Sequence, residues 1–170
     1  IYNYDLEFLR KNIGIVLQDT KLFTATVKEN IAYGKENVTD EQIINVAKIV
    51  HADEFINKLP NGYNTIINNE SMLSLGEIQL INIARILLLK PPIVVLDEAT
   101  SNIDLVNEIN IQNALLDIMK SATTFVIAHR LSTIKNADKI IFIENGNIVE
   151  EGTHNELMNK KGKYYELYQN

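Results

Sequence analysis

Apolar residues recur along this chain in two rhythms, and the changes of rhythm mark a sheet covered by helices. Three runs are almost uninterrupted: Ile13-Gly14-Ile15-Val16-Leu17, Ile93-Val94-Val95-Leu96 and Thr124-Phe125-Val126-Ile127-Ala128. The four residues Ile93 to Leu96, apolar without alternation, predict a strand buried on both faces, as in a parallel sheet; the first run predicts a buried strand and the third another apolar strand. Between them the spacing turns helical. Ile43, Ile44, Ala47 and Val50 follow Thr39, with Gln42 placed to complete a capping box. Ile78, Ile81, Ala84, Ile86 and Leu88 leave so much of one helix apolar that it is expected to be well buried. Ser74 caps that helix with Glu77 in the reciprocal position, and Pro91-Pro92 stops it.

Shorter elements fill the intervals. Glu7 to Lys11 reads as a brief helical end, Thr26 to Tyr33 as a helical turn closed by Gly34, and Ala52 to Lys58 as a short helix halted before Pro60. Asn61-Gly62 is a turn. A helix is expected from Val106 to Met119. Lys139 to Glu144 and Asn147 to Glu151, joined by Asn145-Gly146, predict a hairpin. Thr153 and Glu156 form a capping box before a closing helix.

Polar chemistry gathers where strands end. Gln18, the pair Asp97-Glu98, and His129 each follow an apolar strand. If those strands are parallel neighbours, the groups share the carboxyl edge of the sheet, where open α/β sheets bind ligands. Two carboxylates there can divide labour, one holding a metal and the other handling a proton. Such a set suits chemistry on a phosphate ester. Taken alone, Ser74 and Glu77 are more often just a cap with no ligand, and a lone histidine at a strand end is more often structural than catalytic.

Composition narrows the field without changing it. The chain has 170 residues, 46% hydrophobic and 22% charged, enough for one domain with a proper core. No apolar run is long enough to cross a bilayer, and no secretory leader is visible at the start. With no cysteine, disulfides and thiolate metal sites are excluded. A net charge of −6 with interspersed signs offers no basic stripe for nucleic acid.

Taken in order, the motifs resemble the ATP-binding domain of ABC transporters of the exporter type, over essentially the whole chain. Ile15-Val16-Leu17-Gln18-Asp19 resembles the Q-loop, and Glu29-Asn30-Ile31-Ala32-Tyr33-Gly34 the exporter segment after it. Leu73-Ser74-Leu75-Gly76-Glu77 resembles the LSGGQ signature, and Ile93 to Glu98 Walker B with its catalytic glutamate. Ser101-Asn102-Ile103-Asp104 corresponds to the D-loop, and Ala128-His129-Arg130-Leu131-Ser132-Thr133 to the H-loop. Several motifs in family order are far more specific than any one alone.

The resemblance implies ATP and Mg²⁺ as ligands. Asp97 would hold magnesium, with Gln18 touching the metal or the attacking water. Glu98 would act as general base, and His129 would touch the terminal phosphate. Ser74, Gly76 and Glu77 would meet nucleotide held by a partner domain, and Asp104 would organise that interface. It further implies a partial RecA-like P-loop NTPase core of residues 1–18 and 91–170, with a mostly parallel sheet, and an α-helical subdomain over 19–90. The implied partners are a second ATP-binding domain and a transmembrane domain, at the cytoplasmic face of a membrane.

Two departures qualify it. None of the seven glycines can supply G-x-x-x-x-G-K-[ST]: Gly34 and Gly162 precede lysines, but Glu29 and Leu157 stand where the first glycine belongs. The chain thus resembles an ATPase domain lacking its opening strands and phosphate cradle, and by itself is expected to be inactive and to expose apolar sheet surface. In the signature, Leu75 replaces the first glycine and Glu77 replaces glutamine. A degenerate domain pairing with an active partner, and a soluble ABC ATPase outside transport, are the competing readings.

Overall fold

A computed structural model describes residues 4–17, 21–68, 72–97, 105–127 and 134–169. It divides into two compact units, residues 1–127 and 128–170.

In the first unit, α1 (Leu6–Asn12) leads into β1 (Ile13–Val16), with Asp5 accepting from the Phe8 N–H as its cap. β4 (Ile93–Asp97) lies between β1 and β5 (Thr123–Ile127), and both pairings are parallel. The order follows from helices that carry the chain back between strands: α5 (Leu75–Leu89) before β4 and α6 (Leu105–Ser121) before β5. The α/β class read from the sequence is the observed one.

Burial on this sheet alternates more than the apolar runs imply. Val16, Val94 and Leu96 are buried in one cluster with Ile81, Ile86, Ile111 and Ile118 of α5 and α6. The opposite face carries Ile15, Phe125 and Ile127, which are 54%, 58% and 53% exposed. The both-face burial expected of the Ile93-Val94-Val95-Leu96 run is met on one face only, since Ile93 and Val95 of β4 are half-buried, and the exposed side chains of β1 and β5 form apolar sheet surface of the kind expected from the sequence. A continuous apolar run shows that both faces can be buried, but the helices α5 and α6 supply cover on only one.

Smaller elements surround α5. α2 (Val27–Ala32) opens with a capping box in which Thr26 and Glu29 bond reciprocally, a pattern legible in the sequence as Thr-x-x-Glu. α3 (Asp40–Ile49) has the expected box of Thr39 and Gln42. The expected helix over 52–58 is a single turn, α4 (Asp53–Ile56), followed by a 3₁₀ turn at Gly62–Asn64. A miniature antiparallel sheet pairs β2 (Ala25–Thr26) with β3 (Ile66–Ile67), a long-range pairing too short to leave a pattern in the sequence. Ten of the fifteen residues of α5 are buried, which explains its nearly all-round apolar composition. It ends at Lys90, whose φ of 51° turns the chain toward Pro91.

The second unit contains the expected hairpin, β6 (Ile140–Glu144) and β7 (Asn147–Gly152). Asn145 and Gly146 turn it with φ of 51° and 76°, the positive pair that a two-residue turn of the I′ type requires. The single closing helix expected from sequence is two, α7 (His154–Lys160) and α8 (Lys163–Gln169). Lys161 breaks the run at φ 52°, and the Glu150 carboxylate accepts from the Lys163 and Tyr164 N–H groups to start α8. Ile140, Leu157 and Tyr164 form the core of this unit.

Candidate nucleotide-contacting site

The carboxyl ends of β1, β4 and β5 finish along one edge. In register, Val16 faces Leu96 and Leu96 faces Val126, while Asp97 faces Ile127. Leu17, Asp97 and Ile127 therefore stand side by side, and Asp97 is the half-buried carboxylate there. Gln18, Glu98, Asp104 and His129 lie outside the described residues. Among the described residues no group of three or more His, Cys, Asp or Glu is placed to hold a metal. One carboxylate suits magnesium all the same, since that ion keeps several waters and takes phosphate oxygens as further ligands.

A second group forms the first turn of α5. Ser74 Oγ accepts from the Glu77 N–H at 3.3 Å, and the Ser74 N–H donates to Glu77 Oε2 at 2.7 Å. The capping box expected from sequence is thus closed. The N–H groups of Leu75 and Gly76 have no intrahelical acceptor, as at any helix start, and the helix dipole makes this end attractive to anions. Gly76 is buried, whereas the Leu75 side chain is 64% exposed and projects from the turn. Glu77 adds a negative charge to the same turn. No hydrogen bond or ion pair between described residues joins Asp97 to it.

Sequence reasoning overlooked a third group. Within the apolar α5, the polar residues Gln79, Asn82 and Arg85 recur every three residues, a stripe that helical spacing could have revealed. Gln79 Nε2 donates to the Leu17 carbonyl at 3.4 Å. Arg85 Nε donates to the Asn30 carbonyl at 2.8 Å, and its guanidinium lies 5.6 Å from the Phe23 ring centroid and 5.5 Å from that of Tyr33. Those two rings stack with centroids 4.2 Å apart. Burial pulls the Arg85 guanidinium below its ordinary pKa, opposed by Tyr33. Asn30, fully buried, accepts from the Phe23 N–H at 2.8 Å and donates to the Phe23 carbonyl at 3.0 Å.

A three-stranded parallel sheet with α5 and α6 against it, and Asp97 at its carboxyl edge, defines an α/β domain. The family model described as ABC transporter matches residues 1–101. The chain belongs to the ABC transporter family.

Among curated relatives, it is 49% identical over 162 residues to an uncharacterized ABC transporter ATP-binding protein of Bacillus subtilis (strain 168), covering 95% of this chain and 27% of the relative. It is 50% identical over 169 residues to a putative multidrug export ATP-binding/permease protein of the same strain, covering 99% and 29%. A putative multidrug export ATP-binding/permease protein of Staphylococcus aureus (strain NCTC 8325 / PS 47) is 53% identical over 161 residues, covering 94% and 28%. Among solved structures, a bacterial Atm1-family ABC exporter with ATP bound superposes with a TM-score of 0.84 at 39% identity, covering 95% of this chain and 28% of that one. The chain spans little more than a quarter of the length of these relatives.

Proposed function

We propose that this chain is the C-terminal part of an ATP-binding and ATP-hydrolysing domain that drives substrate export across a membrane, from its cytoplasmic face. The observation that carries most weight is the likeness, over nearly the whole chain, to an exporter solved with ATP bound. Residues 1–18 and 91–170 would form part of the RecA-like core, and 19–90 the helical subdomain. Magnesium, when bound, screens phosphate charge. Asp97, with Gln18, would hold it, and Glu98 would take a proton from the attacking water, a role typically worth ~10²–10⁴ in rate. His129 would orient the terminal phosphate.

Ser74 and Gly76 would receive nucleotide bound to a second ATP-binding domain, with Asp104 at that contact and a transmembrane domain as the further partner. No helix among the described residues is long and apolar enough to cross a membrane. The exposed Leu75 and the charged Glu77 favour, as a second reading, a weakened site at this signature turn.

The test is Mg-ATP turnover by the full-length protein and its Glu98→Gln variant. Turnover abolished by the substitution is expected; equal turnover in both overturns the assignment. The 170-residue chain alone, without a phosphate cradle, is expected to give no hydrolysis and at most weak calorimetric binding of Mg-ATP. Micromolar affinity would refute that.

A further inference from the structure

The proposed function gives α5 a nucleotide-facing turn at Ser74 and gives the sheet a metal-holding edge at Asp97, and the inference here rests on that reading. Two side chains of α5 reach away from its own turn. Gln79 lies five residues after Ser74, about 7–8 Å along the axis, and Arg85 eleven residues after, about 16 Å. Gln79 donates to the carbonyl of Leu17, the residue beside Asp97 at the sheet edge. Arg85 donates to the carbonyl of Asn30, whose side chain holds both backbone groups of Phe23. The Phe23 and Tyr33 rings flank the Arg85 guanidinium, and Lys35 Nζ donates to the Leu88 carbonyl at 2.6 Å. One buried helix thereby grips the end of β1 on one side and the whole Phe23–Lys35 stretch on the other.

We propose that Gln79 and Arg85 are positioning residues that couple the first turn of α5 to the Asp97 edge and to the Phe23–Tyr33 surface. α5 is packed on most sides, so displacement of its first turn moves it as a body rather than bending it. The bond from Gln79, at 3.4 Å, is long for an N–H···O contact and is the more easily released of the two. The bond from Arg85 is short, half-buried and has the stacked Phe23 and Tyr33 rings beside its guanidinium, so it moves with the helix. Occupancy at Ser74 is in this way felt at Leu17 and Phe23 without either touching nucleotide.

The experiment compares the full-length protein with its Gln79→Met and Arg85→Lys variants. Gln79→Met keeps volume and removes the donor; Arg85→Lys keeps the charge and removes the planar fork. Steady-state Mg-ATP hydrolysis is measured together with backbone amide exchange of peptides spanning 13–17 and 21–33, with and without Mg-ATP. The expected result is a kcat about tenfold lower with KM for ATP within about twofold, and loss of the nucleotide-dependent change in exchange in those peptides. A purely structural role would lower thermal stability and raise exchange equally with and without nucleotide. That pattern, or wild-type kcat with an intact nucleotide response in either variant, overturns the proposal. A wild-type protein that neither binds nor hydrolyses Mg-ATP overturns the functional reading and the coupling with it, whereas normal turnover with unaltered variants overturns the coupling alone.

Discussion

Replacing Glu77 by Gln probes the signature turn directly. The Glu77 carboxylate sits 2.7 Å from the Ser74 nitrogen, at the end of α5 whose free N–H groups would meet a nucleotide phosphate. An anion accepting from those N–H groups would lie on the order of 5 Å from that carboxylate. Two like unit charges at that separation repel by about 3 kcal/mol at an effective dielectric of 20 and about 1 kcal/mol in bulk water. Glu77 is half-buried, so the cost lies between these limits, about 1–2 kcal/mol, or five- to thirtyfold in affinity. Glutamine keeps an oxygen for the Ser74 N–H, so the box survives. The helix gives up only a dipole contribution of about 0.3–1 kcal/mol. In the full-length protein, Glu77→Gln is expected to lower the ATP concentration for half-maximal turnover about tenfold at low salt. The gain should shrink near 1 M salt, where screening reaches a few ångströms. An unchanged or higher half-saturation at low salt, with the fold intact by circular dichroism, refutes the argument.

Two further outcomes concern stability. The Tyr63 hydroxyl is buried with no hydrogen-bond partner among the described residues, so Tyr63→Phe is expected to raise the denaturation midpoint, by about 1 kcal/mol in stability. Burial, helped by Asp53, pushes the native Tyr63 pKa up to about 12, against about 10 in an unfolded chain, so stability present below pH 10 falls as pH rises towards 12. Urea titrations across that range should show a shallower alkaline decline in the variant. Gly14 faces α5, and an added Cβ would lie 2.7 Å from Pro91 Cγ and 3.0 Å from Ile86 Cδ1. Gly14→Ala is expected to destabilise by about 1–2 kcal/mol, the overpacking cost exceeding the entropic gain, which a fall in urea midpoint checks.

The sequence alone determined the elements whose causes are local. Thr39 with Gln42, Ser74 with Glu77 and Thr153 with Glu156 close as capping boxes because each needs only three residues' separation. Asn145-Gly146 sets its hairpin because the turn demands positive φ at both positions. The apolar runs marked β1, β4 and β5, and Asp97, where the second run ends, lies at the carboxyl end of β4. Tertiary structure decided what depends on partners distant in sequence. Whether Ile15 and Phe125 are covered depends on which face α5 and α6 take, and no run of residues encodes that by itself. The grip of Gln79 on Leu17 spans 62 positions and that of Arg85 on Asn30 spans 55, so neither leaves a local pattern beyond a polar stripe on an apolar helix. Short-range hydrogen bonding is written residue by residue, whereas packing is settled only when separate segments meet.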